Sequence, residues 1–401
     1  MNLLPLLTLR YDPLDMYVPA FRLRDVSVTD LIKSKQNLVS VRILENKIRS
    51  AIRREVEKFN PNKLCVALSA GVDSNLVLCL LREEFPSLEL ECITVSFDEK
   101  NEALEAKRFA EKKDANFHQV YVENLLRDLP AMINIIREPR WNVYQYYFIK
   151  KAKSISNLLF TGDGGDEVFA GYTFRYKKFL QTCDNTNSLE RAKLYLSCHE
   201  RDWVPDQHEM FAEELKFDWS SIYSLITSYF NDNLKPLDQV MLADYNGKLM
   251  HDFVPTNDKY FRFFKLEGIS PLLDNEVVEL GFDLPPEMKF SINSNIGKLP
   301  LREILQNYSP DSDKKMNVKV GYGMDLVNLW KSSGRETVTM LLDKGRIFEA
   351  NLINKNWYLR SLKRTDENAD LRYISKLLQI LSLEVWYRIF VTSEMNPSHH
   401  L

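Results

Sequence analysis

Between residues 63 and 162, strand-length apolar stretches alternate with helix-length amphipathic ones, and few folds accept that pattern. "KLCVALS", "LECITVSF", "FHQVYV" and "NLLFTG" read as strands. The first is too continuously apolar to keep one side in water. "DSNLVLCLLREEF", "NEALEAKRFAEKKD", "NLLRDLPAMINII" and "NVYQYYFIKKAKSI" read as helices between and before them. Strict alternation with apolar strands predicts an α/β fold, a parallel sheet flanked by helices on both faces. Ahead of it, Ile43, Ile48, Ile52, Val56 and Phe59 recur at helical spacing, and Asn60-Pro61 ends that helix. Beyond residue 172 the strand signals fade and aromatic-rich helical patterns such as "WSSIYSLITSYF" run to the C-terminus. Residues 1–35 carry Pro5, Pro13 and Pro19 and predict an extended arm with short strands at best. The expected organisation is an arm over 1–36, an α/β core over 37–172 and a mostly helical part over 173–401. The polar, glycine-bearing stretch 306–323 reads as a loop of the kind that orders over an active site.

Composition excludes several function classes. The chain is 45% hydrophobic and 27% charged with a net charge of −3, so no basic field invites nucleic acid or anionic lipid. Its longest apolar run, "LVLCLL" at 76–81, is too short to span a bilayer, and the first residues carry no basic region leading into a cleavage site, so no signal peptide is read. The cysteines Cys65, Cys79, Cys92, Cys183 and Cys198 form no CxxC pair, and the histidines do not fall at zinc spacings. A cytoplasmic, reducing setting follows as the expectation.

Two glycine-bearing stretches carry the chemistry. "LSAGVDS" (68–74) joins the first strand to the next helix. Its small residues let backbone N–H groups face an anion, and the helix N-terminus behind adds a positive dipole end. It is not the GxxxxGK[ST] loop. Asp73 and Ser74 have a plainer reading too, as N-terminal helix caps. "FTGDGGDEVFAGY" (160–172) follows the fourth strand, with four glycines and three carboxylates. Clustered carboxylates repel unless a cation lies among them, and a magnesium ion bridging phosphates would be such a cation. Its plainer reading is a solvated acidic turn. Both stretches fall at the C-terminal ends of parallel strands, where open α/β sheets bind ligands.

These residues carry a family resemblance. "SAGVDS" resembles the SGGxDS loop of the ATP pyrophosphatase (PP-loop) enzymes, and "TGDGGDEVFAGY" resembles the GEGxDExFGGY stretch of the asparagine synthetase C-terminal domain. "DFVPTNDKYFRFFKLEGISPLLDNEVVELGFDLPPEMK", "GKLPLREIL" and, more weakly, "KVGYG" resemble further segments of that domain in the same order, so the likeness covers roughly 40–330. The resemblance implies an ATP-dependent amide-forming ligase. ATP would contact Leu68, Ser69, Ala70, Gly71, Asp73, Ser74, Val95 and Gly162, with Asp73 and Asp166 holding Mg²⁺. A substrate carboxylate would attack the α-phosphorus, giving an acyl-adenylate and pyrophosphate, and ammonia or another amine would displace AMP. Lys298 would neutralise charge building on the phosphates, and Asp163 would act as base or orienter for the amine.

The chain departs from the family pattern at four places. Ala70 replaces a glycine, and Asp163 replaces a Glu and retracts the carboxylate by one methylene. Ile269 stands where the family has Arg, a residue able to pair with a substrate carboxylate, which removes that support for aspartate as substrate. Glutamine-hydrolysing members begin with a nucleophilic Cys on a separate domain, whereas here Met1 is followed by Asn2 and only some 60 residues precede the loop. The expectation is therefore a synthetase without its own glutaminase. It would be supplied by free ammonia, a separate glutaminase partner or a substrate amine, with no membrane or nucleic-acid partner; homo-oligomers are compatible with the reading. Two other readings stand beside it. One is a non-catalytic nucleotide-binding partner subunit. The other is a PP-loop enzyme adenylating a tRNA base, docked through the basic, aromatic region from Lys314 to Arg364.

Overall fold

In the computed structural model the described residues are 2–15, 17–19, 23, 25–34, 40–97, 101–184, 186–310 and 325–401. The helices up to the second glycine-bearing stretch are α1 (Leu3–Leu9), α2 (Val28–Ser34), α3 (Val41–Phe59), α4 (Val72–Glu84), α5 (Asn101–Lys112), α6 (Leu129–Ile136), α7 (Gln145–Lys153) and α8 (Gly165–Val168). The strands are β1 (Lys63–Ala67), β2 (Glu89–Ser96), β3 (Asn116–Tyr121), β4 (Leu158–Phe160) and β5 (Glu267–Ile269). They form one sheet in the order β3-β2-β1-β4-β5, every pair parallel. The α/β expectation holds: each predicted strand and helix of 63–162 is present, with the third helix opening in a 3₁₀ turn over Leu125–Asp128.

Alternation along a strand sends neighbouring side chains to opposite faces. Leu64 and Val66 of β1 join a core with Ile48 and Ile52 of α3 and Leu76 and Leu80 of α4. Cys65 between them joins a second core with Ile133 of α6 and Ile149 of α7. Both faces are thus buried, which is why β1 shows no polar alternation. All five cysteines are free and buried, as small hydrophobes.

One expectation needs an addition and another a correction. The mostly helical part beyond 172 also contributes one unpredicted strand: β5 lies at the sheet edge, entered from the helix Val254–Phe264 through Lys265 at φ 51°. Three residues, Glu-Gly-Ile, are too few to display a period. The N-terminal segment is not an extended arm with short strands at best, because it contains α1 and α2. Asn2 caps α1 by accepting from the Leu4 amide. Pro5 falls in the first turn, where a missing N–H costs little. Leu6, Leu7 and Leu9 are buried. The last carbonyls of α1 are met by distant side chains: Lys376 donates to Leu7 O, and Gln379 Nε2 donates to Leu6 O at 3.1 Å. Within 306–323, Gln306 to Tyr308 close a helix, and the loop beyond residue 310, with "KVGYG" and Lys314, lies outside the described residues.

Candidate active site

At the C-terminal edge of the sheet, β1 runs into "LSAGVDS" and β4 into the "GDGGDE" stretch. The first loop is held from within. The Ser69 amide donates to Ser74 Oγ at 3.1 Å and the Gly71 amide to Ser69 Oγ at 3.1 Å. Leu68 is tied back to β2 by its amide on Ile93 O, 2.9 Å, and by Thr94 Oγ1 donating to its carbonyl, 2.7 Å. Helix α4 starts on Gly71 without a side-chain cap. A helix N-terminus carries the positive end of the helix dipole, which favours an anion. Val95, the next-to-last residue of β2, reaches the same edge of the sheet but is 3% exposed within the second core.

The second loop lies directly on the first. An added Cβ at Gly162 would come 2.7 Å from Ser74 N, and one at Gly165 would come 2.4 Å from Asp73 Cγ. Only hydrogen fits at either place. A third segment closes the arrangement. Lys298 takes a left-handed backbone, φ 58°, just ahead of the helix Leu299–Tyr308 and donates its amide to Phe169 O at 2.8 Å. Such a conformation costs a non-glycine residue on the order of 1–3 kcal/mol. It aims the side chain inward, where Nζ bonds Asp73 Oδ2 and lies 2.9 Å from Asp166 Oδ1. Burial presses this ammonium toward neutrality, but the charges of Asp166 and Asp73 outweigh it and hold its pKa well above the usual value. Lys298 thus occupies the place of the cation that clustered carboxylates require.

Asp163 stands slightly apart. Its Oδ2 accepts from Thr161 Oγ1 at 2.9 Å and from Asn257 Nδ2 at 2.9 Å. Since Thr161 spends its proton there, Ser270 Oγ is the donor in their 2.7 Å contact. Burial raises the Asp163 pKa; the Thr161 hydrogen bond opposes this, and the charge of Asp73 adds to it. Glu167 is buried and bonded by Tyr172 OH, and burial, then the charge of Asp166, pushes it up to about 7. Beside Asp163 opens a cavity of about 440 Å³ between α3, the helix Val254–Phe264 and strand β5, with Ile269 in its wall.

The structure therefore brings Asp73, Asp166, Lys298, Gly162 and the 68–74 loop to one place, with Asp163 at its margin. Thr161, Asn257 and Ser270 fall inside stretches singled out in the sequence, but no role is assigned to them there. Among the described residues no group of three or more His, Cys, Asp or Glu side chains gathers to hold a metal. A cation on Asp73 and Asp166 would need further oxygens, which phosphates supply.

The model of the family described as asparagine synthase matches residues 44–388. The chain belongs to the asparagine synthase family. Among curated proteins it is similar to "Asparagine synthetase [glutamine-hydrolyzing] 1" of Bacillus subtilis (strain 168), at 23% identity over 416 aligned residues. That alignment takes in 93% of this chain and 64% of the relative, so the chain spans under two thirds of the relative's length. The family match runs from α3 into the last long helix, Leu371–Phe390, and includes every residue of the site described above. No described helix is long and apolar enough to cross a membrane.

Proposed function

We propose that this asparagine synthase family member is an ATP-dependent carbon–nitrogen ligase that activates a carboxylate as an acyl-adenylate and passes it to an amine. The observation that carries the reading is the convergence of Lys298, Asp73 and Asp166 from three separate segments onto an uncapped helix N-terminus. Two carboxylates at that position are out of place for binding a polyanion unless a cation comes with it, and Mg²⁺ bound with ATP supplies that charge. Asp73 and Asp166 would hold it.

The chain's own groups then divide the work. The 68–74 loop and the first turn of α4 receive the phosphate chain. Lys298 would turn its charge to the phosphates as pyrophosphate leaves, Mg²⁺ supplying the positive charge that Asp73 and Asp166 now take from it. Asp163, held by Thr161 and Asn257, accepts a proton from the amine, for which a raised pKa is the better match. The amine displaces AMP from the activated carbonyl.

The test is pyrophosphate release from Mg-ATP with ammonium and a panel of carboxylates, aspartate included. Release that depends on one carboxylate and vanishes in Lys298→Ala is expected. Tight Mg-ATP binding without turnover would reassign the site to a nucleotide-holding subunit. Adenylation of tRNA alone would reassign it to base modification. No ATP binding would reduce "LSAGVDS" to a strand-to-helix turn.

A further inference from the structure

The cavity beside Asp163 differs in character from the phosphate end. Ala51, Val254, Phe261 and Ile269 give it apolar wall surface. Four exposed cations line it: Arg54, Lys58 and Arg262, engaged by Asp274, Glu55 and Asp258, and Lys265. Two polar groups stand where the cavity meets the site, Asp163 and Asn257. Asn257 is 6% exposed, and its Nδ2 is spent on Asp163 at 2.9 Å. That bond fixes the amide's orientation and leaves Oδ1 as an acceptor, buried and without a hydrogen-bond partner among the described residues. An unmet buried acceptor is costly, so a ligand that supplies the donor is favoured. A carboxylate and a carbonyl oxygen side by side call for N–H donors and repel an anion. At about 440 Å³ the space is of the size that holds an organic ligand, far beyond what ammonia needs.

We infer that this cavity is the amine subsite, and that it takes a primary amine carrying an apolar body rather than ammonia alone. The inference rests on the ligase reading for its chemistry. The amine arrives as R–NH₃⁺ with its nitrogen between Asn257 Oδ1 and Asp163. Asp163 takes one proton. The freed electron pair forms the C–N bond to the activated carbonyl, and the C–O bond to AMP breaks with its pair leaving on AMP. The second proton leaves the nitrogen to water. Ile269, in the cavity wall, forms the apolar surface that the amine's body packs on.

Calorimetry on the full chain without ATP would compare ammonium with linear amines from ethylamine to hexylamine. Affinity should rise about fourfold per added methylene, the transfer free energy of a CH₂. Ammonium binding as tightly as hexylamine would overturn the inference. Asn257→Leu should weaken every amine about tenfold, and Ile269→Trp should weaken hexylamine at least tenfold while sparing ammonium. Unchanged hexylamine affinity in a folded I269W protein would overturn it. Where I269W does not fold, Ile269→Ala should alter the chain-length profile, and an unaltered profile would equally count against the inference. The pyrophosphate assay separates this from the ligase reading. Graded amine binding with no carboxylate-dependent pyrophosphate release leaves the subsite standing and sinks the ligase. Adenylation with ammonium as sole nucleophile and no graded binding does the reverse.

Discussion

Two buried ion networks lie along the segment 166–176, and they are built differently. In one, Asp244 is fully buried and receives Tyr176 OH at 2.7 Å, Tyr195 OH at 2.8 Å and Arg175 at 3.3 and 3.4 Å. All these groups ride on helical segments: Thr173–Leu180, Ser188–Ser197 and the π-helical stretch Asp244–Phe253. Burial alone would raise the Asp244 pKa, yet Arg175 and the hydrogen bonds carry it far below the carboxylate range. In the other network, Asp73 and Asp166 sit in the first turns of α4 and α8 and Lys298 just ahead of the helix Leu299–Tyr308, with side chains 15%, 25% and 10% exposed. The first network is filled by its own partners, two tyrosine hydroxyls and a guanidinium. The second joins two carboxylates through a single lysine at the C-terminal edge of the sheet, where open α/β sheets bind ligands. Burial of charge alone does not mark a functional site; the place in the fold distinguishes the two.

That contrast can be broken most directly at Asp244. Asp244→Ala should cost about 3–5 kcal/mol of stability, because it strands a buried guanidinium. Urea unfolding measures it, and a loss under 1 kcal/mol would mean the network is not structural. The wild-type sign follows from the depressed folded pKa. The stability Asp244 contributes is present above its unfolded value of 3.8 and is lost as pH falls through the lower folded value. Lys298→Ala should do the opposite, cutting pyrophosphate release by about 10²–10³-fold while melting near the wild-type temperature. A large melting drop with proportionate activity loss would make the two networks alike.

Gly165→Ala probes the close approach of the two loops. A Cβ at 2.4 Å from Asp73 Cγ must push that carboxylate away, at a cost of about 1–3 kcal/mol of overpacking, with nucleotide affinity falling more than stability. Wild-type ATP binding in this variant would show that Asp73 need not stay where it is. The smallest effect is expected at Asp163. Its folded pKa is raised, chiefly by burial, so the folded state favours the protonated form and stability falls as pH rises above 3.8 toward the folded value. Asp163→Asn should therefore melt slightly higher than wild type at neutral pH and lose activity. A melting profile with unchanged pH dependence would remove Asp163 from the set of strained carboxyls.

What the sequence by itself determined is whatever local period and local loop chemistry express. The four strands β1 to β4, the helices α3 to α7 and the two glycine-bearing loops at strand ends were all legible, because burying two sheet faces requires the alternation that 63–162 displays. The resemblance carried Lys298 and Asp166 into the site, although 225 residues separate Lys298 from Asp73 and no local pattern joins them. Tertiary structure alone decided the rest. Strand β5 is joined to the sheet where Thr161 N donates to Ile269 O at 2.8 Å, and helix α1 is held by Lys376 and Gln379, more than 360 residues away, which donate to its last carbonyls. The support of Asp163 by Asn257, 94 residues on, likewise has no local sign. Periodicity records which face of an element is buried. It does not record which distant polar group will meet a given donor or acceptor, and in this protein those meetings shape the margin of the site.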